Sequence, residues 1–239
     1  MVEITLVGIG TGNPEHVTLE GHRAIAEADL ILIPRKAAKD DLAHLRERIV
    51  DDAGSRARIA YFDYPARDDS LPYQERVAQW HDEIARRWQT AIGNAPSVTL
   101  LVWGDPGLYD STLRIAARLP GARARVIPGI TALQALTAAH AIPFNTVNGP
   151  VTVTTGRRLR DHGWPEGAET VVVMLDGECR FQALPRDLHI WWGAYLGMPE
   201  QILDHGPLGE TAPRIVATRA EARARHGWIM DTYLLRAPE

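Results

Sequence analysis

Three glycine-bearing turns, each directly after an apolar run, carry the residue types best suited to chemistry. Gly8, Gly10 and Gly12 follow "VEITLV", with Thr11 between the last two. Trp103, Gly104, Asp105, Pro106 and Gly107 follow "SVTLLV", with Leu108 next. Pro128, Gly129 and Thr131 follow "ARVI" and lead into Ala132. Glycine lets a backbone approach a ligand closely, and a turn at a strand's carboxyl end is where open α/β sheets bind ligands. Asp105 is a hydrogen-bond acceptor in such a place, and Thr131 is placed to cap a helix. Each turn also has a plainer reading. The first is then a tight strand-to-helix turn, and the second an Asp-Pro-Gly turn with Asp105 bonded to neighbouring amides.

The first loop meets neither common phosphate-cradle motif. In G-x-G-x-x-G the third glycine falls where Asn13 stands, and the second strand-like run ends in Ile33-Pro34-Arg35 without a carboxylate for a ribose. No Gly-Lys-Ser/Thr tripeptide of a P-loop occurs. The histidines show no H-x-x-x-H spacing and no cysteine partners, so no metal is expected. G-x-S-x-G is absent. Cations gather as Arg35, Lys36 and Lys39, and again as Arg157, Arg158 and Arg160; either group is a binding surface for an acidic ligand or a solvated face. Asp40 and Asp41 read as the amino-terminal turn of a helix.

The elements that must position these groups alternate. "VEITLVG", "LILIP", "RIAYF", "SVTLLVW" and "ARVIP" read as strands, and helices are expected from Thr18 to about Ala28, over "KDDLAHLRERIV", from Pro72 to about Ile92, and over "TLRIAARL". Val77, Trp80, Ile84, Trp88 and Ile92 form a helical stripe assigned to the core. Such alternation implies a largely parallel sheet with crossovers. After Pro128, "GITALQALTAAHAI" reads as a small-residue helix, and "VTVTTG", "TVVVML", "LHIWWGAYLG" and "PRIVATR" as strands. Two α/β domains are expected, residues 1–128 and 129–239.

Composition bounds the function. The chain has 239 residues, is 45% hydrophobic and carries a net charge of -4, which argues against nonspecific nucleic-acid binding. One cysteine, Cys179, permits no internal disulfide, and a reducing cytoplasm is expected. No secretory signal or membrane-spanning stretch is read, so no membrane partner is expected.

Taken together, Val7 to Thr18, Gly104-Asp105-Pro106, Pro128 to Ala132 with Ala141-Ile142-Pro143, and Thr170 to Met174 resemble the tetrapyrrole (corrin/porphyrin) methylases. The resemblance implies two α/β domains with a cofactor cleft between them, S-adenosylmethionine as the methyl donor, a small-molecule tetrapyrrole substrate and a homodimer. It implies donor contacts from Thr11, Trp103, Gly104, Asp105, Leu108, Thr131, Ala132 and Met174, and, in the strand "HIWWGAY", from Gly193 and Ala194. "IWWGAYLGMPEQIL" and "ARARHGWIMDTYLLR" resemble the members that methylate precorrin-5 at C1 and release acetate. In the uroporphyrinogen methylases an acidic residue ends the second strand and a lysine follows the third. Here Pro34-Arg35 and Phe62-Asp63 occupy those places, so that pair does not transfer. Lys36 and Asp63 are the catalytic candidates, and Arg35, Arg157 and Arg158 the substrate-binding ones. The alternatives are another methylase of the same fold (another precorrin position, diphthine synthase-like or rRNA-directed), an NAD-type oxidoreductase, and a tetrapyrrole carrier.

Overall fold

The computed structural model describes residues 2–35, 40–68 and 70–237. The chain forms two compact units, Met1–Thr131 and Ala132–Glu239, so the division falls three residues beyond Pro128, inside the third glycine turn.

The first unit is a five-stranded parallel sheet in the order β3-β2-β4-β1-β5. The strands are β1 Glu3–Gly8, β2 Leu30–Arg35, β3 Arg58–Asp63, β4 Ser97–Val102 and β5 Arg123–Ile127. The helices are α1 Leu19–Ala26, α2 Asp40–Asp52, α3 Tyr73–Ile92 and α4 Thr112–Ala116. The central strands are apolar on both faces because both faces are covered. Side chains alternate across the sheet. Leu6, Leu100 and Val102 pack with Ile84, Trp88 and Ile92 of α3 and Ile115 of α4. Val7, Leu101 and Ile33 pack with Ile25 of α1 and Ile49 and Val50 of α2. The chain therefore leaves β1 toward one face and β4 toward the other, although the two strands are neighbours. That divergence is the switch point at which such sheets bind ligands. Thr18 caps α1 by accepting from Gly21 N–H at 3.0 Å. Trp88 is buried in the α3 stripe, whereas Trp80 donates from Nε1 to the Pro65 carbonyl and stacks on Tyr64, fixing the loop after β3.

The second unit is a mixed sheet in the order β6-β7-β10-β8-β9. Its strands are β6 Val151–Thr155, β7 Thr170–Met174, β8 His189–Ala194, β9 Ile202–Pro207 and β10 Asp231–Arg236. Only β6 and β7 pair in parallel; β10 runs antiparallel to β7 and β8, and β9 to β8. Its helices are α5 Ala132–His140, α6 Gly156–His162 and α7 Leu208–His226.

"PRIVATR" is not a strand. It lies within α7, with Pro213 inside the helix. A proline there leaves the carbonyl four residues earlier without its donor. That carbonyl, Gly209 O, accepts from Arg186 Nη2 at 2.9 Å instead. The buried set Leu208, Thr211, Ala212, Ile215, Arg219 and Ala222 follows helical spacing, which outweighs the β-branched Ile215-Val216 pair. This half also holds a 19-residue helix, α7.

Candidate functional site

Strand order brings the three glycine turns together at one end of the first sheet. β1 lies between β4 and β5, so the turns leaving all three strands are neighbours. They meet backbone to backbone. Gly10 N–H donates to the Gly104 carbonyl at 3.3 Å, and Gly104 N–H to the Gly10 carbonyl at 2.7 Å. A Cβ on Gly8 would lie 2.5 Å from Gly129 N and 2.8 Å from Gly104 O; one on Gly129 would lie 2.2 Å from Gly104 O. No side chain fits at either place. Gly104 has space around it but holds φ +65, a conformation L side chains rarely adopt.

Asp105 links two of the turns. Its Oδ1 accepts from Gly107 N–H at 2.7 Å and its Oδ2 from Gly129 N–H at 2.9 Å. The expected Asp-Pro-Gly turn is present, and the second oxygen adds a bond to the third loop. Both carboxylate oxygens thus hold protein amides, so Asp105 shapes the cradle. Leu108 closes its turn by donating N–H to the Asp105 carbonyl at 3.2 Å, and both it and Trp103 are half-buried.

Thr11 is 4% exposed, and its Oγ1 has no hydrogen-bond partner among the described residues. Buried polar atoms are nearly always satisfied. A second such atom, His16 Nδ1, belongs to the same loop, and the His16 side chain lies against Gly10. Two unanswered polar atoms beside a backbone-lined cradle fit a ligand with polar groups. Thr131, half-buried, ends the first unit.

The candidates at β2 and β3 stand apart from these turns. Asp63 pairs in register with Arg35 on edge strand β3, three strand spacings from β1, or about 14 Å. It borders a depression of about 400 Å³ with Tyr61, Glu83, Arg86 and Arg87. Arg35 is exposed, its guanidinium carbon 3.5 Å from the centre of the Tyr61 ring. The Tyr61 hydroxyl donates to Glu47 at 2.8 Å, and that bond raises its pKa above the ordinary tyrosine value. Lys36 and Lys39 lie outside the described residues.

In the second unit, Met174 and Gly193 share a row across the sheet. Thr232 of β10 pairs with Met174 on one side and Gly193 on the other. Gly193 faces α5, where a Cβ would lie 2.9 Å from Leu136 Cδ1. Ala194 is fully buried, and Ala132 opens α5 half-buried. Arg157 and Arg158 sit exposed on the first turn of α6.

The sequence reading missed the network that anchors the turn after Met174. Asp176 accepts from Tyr233 OH at 2.6 Å and from the N–H groups of Glu178 and Arg180. Arg219 pairs with Asp231 at 2.9 Å, their side chains only 10% and 8% exposed, and donates to the Asp176 carbonyl at 3.2 Å. Trp192 Nε1 also donates to Asp231 at 2.9 Å. Burial, then the Asp176 charge, pushes the Tyr233 hydroxyl far above its ordinary pKa. A signal existed: Arg219 stands in register with the apolar residues Ala212, Ile215 and Ala222 of one helix face. The turn leaves Leu175 exposed at φ +55. Among the described residues no group of three His, Cys, Asp or Glu is arranged to hold a metal, and no helix is long and apolar enough to cross a membrane.

Residues 3–212 match the family described as tetrapyrrole (corrin/porphyrin) methylases. The chain is 45% identical to a deacetylating precorrin-6A synthase of Sinorhizobium sp., over 99% of this chain and 95% of that one. It is 28% identical to the chloroplastic S-adenosyl-L-methionine-dependent uroporphyrinogen III methyltransferase of Arabidopsis thaliana, over 91% of this chain and 53% of that one. Among solved structures, a cobalamin-synthesis-related protein (CobF) of Corynebacterium diphtheriae is 37% identical, covers both chains fully and superposes with a TM-score of 0.85. The uroporphyrin-III C-methyltransferase of Thermus thermophilus, in complex with S-adenosylhomocysteine, is 20% identical over 98% of this chain and 97% of that one. Its TM-score is 0.62, a likeness of fold.

Proposed function

We infer the activity from one premise: the chain belongs to the tetrapyrrole (corrin/porphyrin) methylases. It is an S-adenosylmethionine-dependent C-methyltransferase of cobalamin biosynthesis, which methylates precorrin-5 at C1 and releases acetate to give precorrin-6A. The observation that carries this reading is the near full-length kinship with a deacetylating precorrin-6A synthase.

The site's chemistry supports it. S-adenosylmethionine supplies an electrophilic sulfonium methyl and bears no phosphate. A cradle of bare backbone, with no P-loop lysine and no third fingerprint glycine, suits such a donor. In this reading Gly104, Asp105, Thr131 and the Thr11 hydroxyl border the donor in the first unit. Trp103 and Leu108 flank it. The chain's main work is to hold a carbon nucleophile and the methyl in line and away from water. Acetate release requires a water molecule to add to an acetyl carbonyl, with Lys36 and Asp63 the candidates for moving its proton. Arg35, Arg157 and Arg158 are surface cations for the substrate's carboxylates. The active form is a cytoplasmic homodimer.

The test is incubation with precorrin-5 and methyl-labelled donor. One labelled methyl in the product and one acetate per turnover are expected. Methylation without acetate moves the activity to another macrocycle position. Calorimetric preference for NAD over S-adenosylmethionine overturns the methylase reading.

A further inference from the structure

Arg46 is a buried cation that the site as described does not use. It is 9% exposed, within the α2 face that carries Ile49 and Val50 into the core. Its Nε donates to the Leu101 carbonyl at 3.0 Å and its Nη1 to the Leu42 carbonyl at 2.8 Å. No carboxylate among the described residues lies within ion-pair distance of it. Asp110 is the carboxylate whose charge reaches it, and Asp110 Oδ1 is itself engaged by Thr112 N–H at 2.6 Å. Burial lowers its pKa below the ordinary arginine value. A buried charge without a counter-ion is destabilising, and folded proteins retain few of them without a use.

Its place suits a ligand. A single rung, Ile31 with Thr99, joins β2 to β4, against six between β1 and β4. Past that rung, near the carboxyl end of β4, Arg46 Nε takes the carbonyl of Leu101, two residues before Trp103. Tyr64 and Asp110 stand on the loops that leave β3 and β4. The guanidinium is thus at the carboxyl ends of the strands, where sheets of this kind take ligands. Its fork is planar, always charged, and matches a carboxylate with two parallel bonds.

We propose that Arg46 binds a peripheral carboxylate of the tetrapyrrole substrate, which supplies a counter-ion that none of the described residues provides. The proposal rests on the methylase reading above. The exposed cations Arg35, Arg157 and Arg158 are screened by water, whereas a carboxylate that reaches Arg46 pairs in a dry setting, so Arg46 dominates substrate affinity.

The experiment measures steady-state methylation of precorrin-5 and calorimetric binding of S-adenosylmethionine for wild type, Arg46→Met, Arg46→Lys and Arg48→Met. Arg46→Met is expected to raise KM for precorrin-5 at least tenfold, lower kcat less than threefold and leave donor affinity within twofold. Arg46→Lys, which keeps the charge and one donor but not the fork, is expected to recover part of the KM. Arg48→Met, which removes an exposed cation of the same helix that pairs with Asp52, is expected to change KM less than threefold. Unchanged KM in both Arg46 variants overturns the proposal. So does a parallel loss of KM and donor affinity that tracks a fall in Tm, the mark of a purely structural arginine. If Arg46→Met does not fold, Arg46→Lys decides on the same criterion. Absence of methylation by the wild type would instead remove the underlying reading.

Discussion

The two units position their loops by opposite means. The first relies on absence: Gly8 and Gly129 bring three strand ends within contact of one another because no side chain intervenes, and backbone amides supply most of the hydrogen bonds. The second relies on buried charge. Arg219, Asp231, Asp176, Tyr233 and Trp192 tie α7 and two strands to the turn after Met174. A bare-backbone junction tolerates no added atom. A polar network tolerates changes of shape but not the loss of one partner.

The largest effect is expected from breaking the charge network. Asp231→Ala leaves Arg219 buried without its partner and costs about 3–5 kcal/mol. Urea unfolding measures it. Arg219→Met combined with Asp231→Leu is expected to recover part of the loss, since replacing both ions with apolar groups removes the stranded charge. A double variant no better than the single one contradicts this account of the second unit.

Next is Gly129→Ala. Its Cβ would fall 2.2 Å from Gly104 O, backbone that cannot move away. The expected cost is about 3 kcal/mol, the upper range for overpacking, together with loss of donor binding. Here no second substitution is expected to restore stability, because the obstacle is main chain. Wild-type thermal stability in this variant would show that the three turns are not in contact.

Asp105→Asn sharpens the contrast within the first unit. One amide oxygen replaces two acceptors, so either Gly107 or Gly129 loses its bond, at about 1–2 kcal/mol. Donor affinity measured by calorimetry is expected to fall with little change in Tm. Unchanged affinity would mean that Asp105 does not shape the donor cradle.

The smallest effect is on pH. In the second unit His140, His189 and His205 lie together, with ring centres 5.7 Å and 6.0 Å apart. Burial lowers the pKa of His140 and His189, and His205 lowers both further; Arg236 adds to this at His189, while the Trp192 carbonyl and Asp204 oppose it at His140. The first unit has one histidine lowered by burial, His81. A histidine lowered in the folded state binds fewer protons there than when unfolded. Its stabilisation is therefore present above the unfolded value of 6.5 and is lost as pH falls below it. Tm is expected to drop between pH 7 and pH 5, and His140→Gln with His189→Gln to flatten that slope. An unaltered slope would assign the acid sensitivity elsewhere.

Much of the first unit was legible from sequence because its signals are local. Apolar runs ending in glycine mark strands and turns, Thr18 marks a helix start, and the Ile84-Trp88-Ile92 stripe marks a covered face. The second unit was harder. Its antiparallel strands β9 and β10 are "ILDHGP" and "DTYLLR", too short and mixed to stand out, and "PRIVATR" joined a helix because Arg186 supplies the bond that Pro213 cannot. Asp176 and Arg219 were missed because a charged residue reads as surface until its partners are known.

By itself, the sequence determined where the backbone must be bare and which segments of the first unit are strands, since glycine freedom and apolar spacing are properties of neighbours along the chain. Tertiary structure alone decided that β1 lies between β4 and β5, that Asp105 reaches Gly129, and that Arg46 is buried with no carboxylate of the described residues in ion-pair reach. Those facts depend on strand pairing and burial between residues far apart in sequence, and the free energy of such contacts exists only once the sheet has formed.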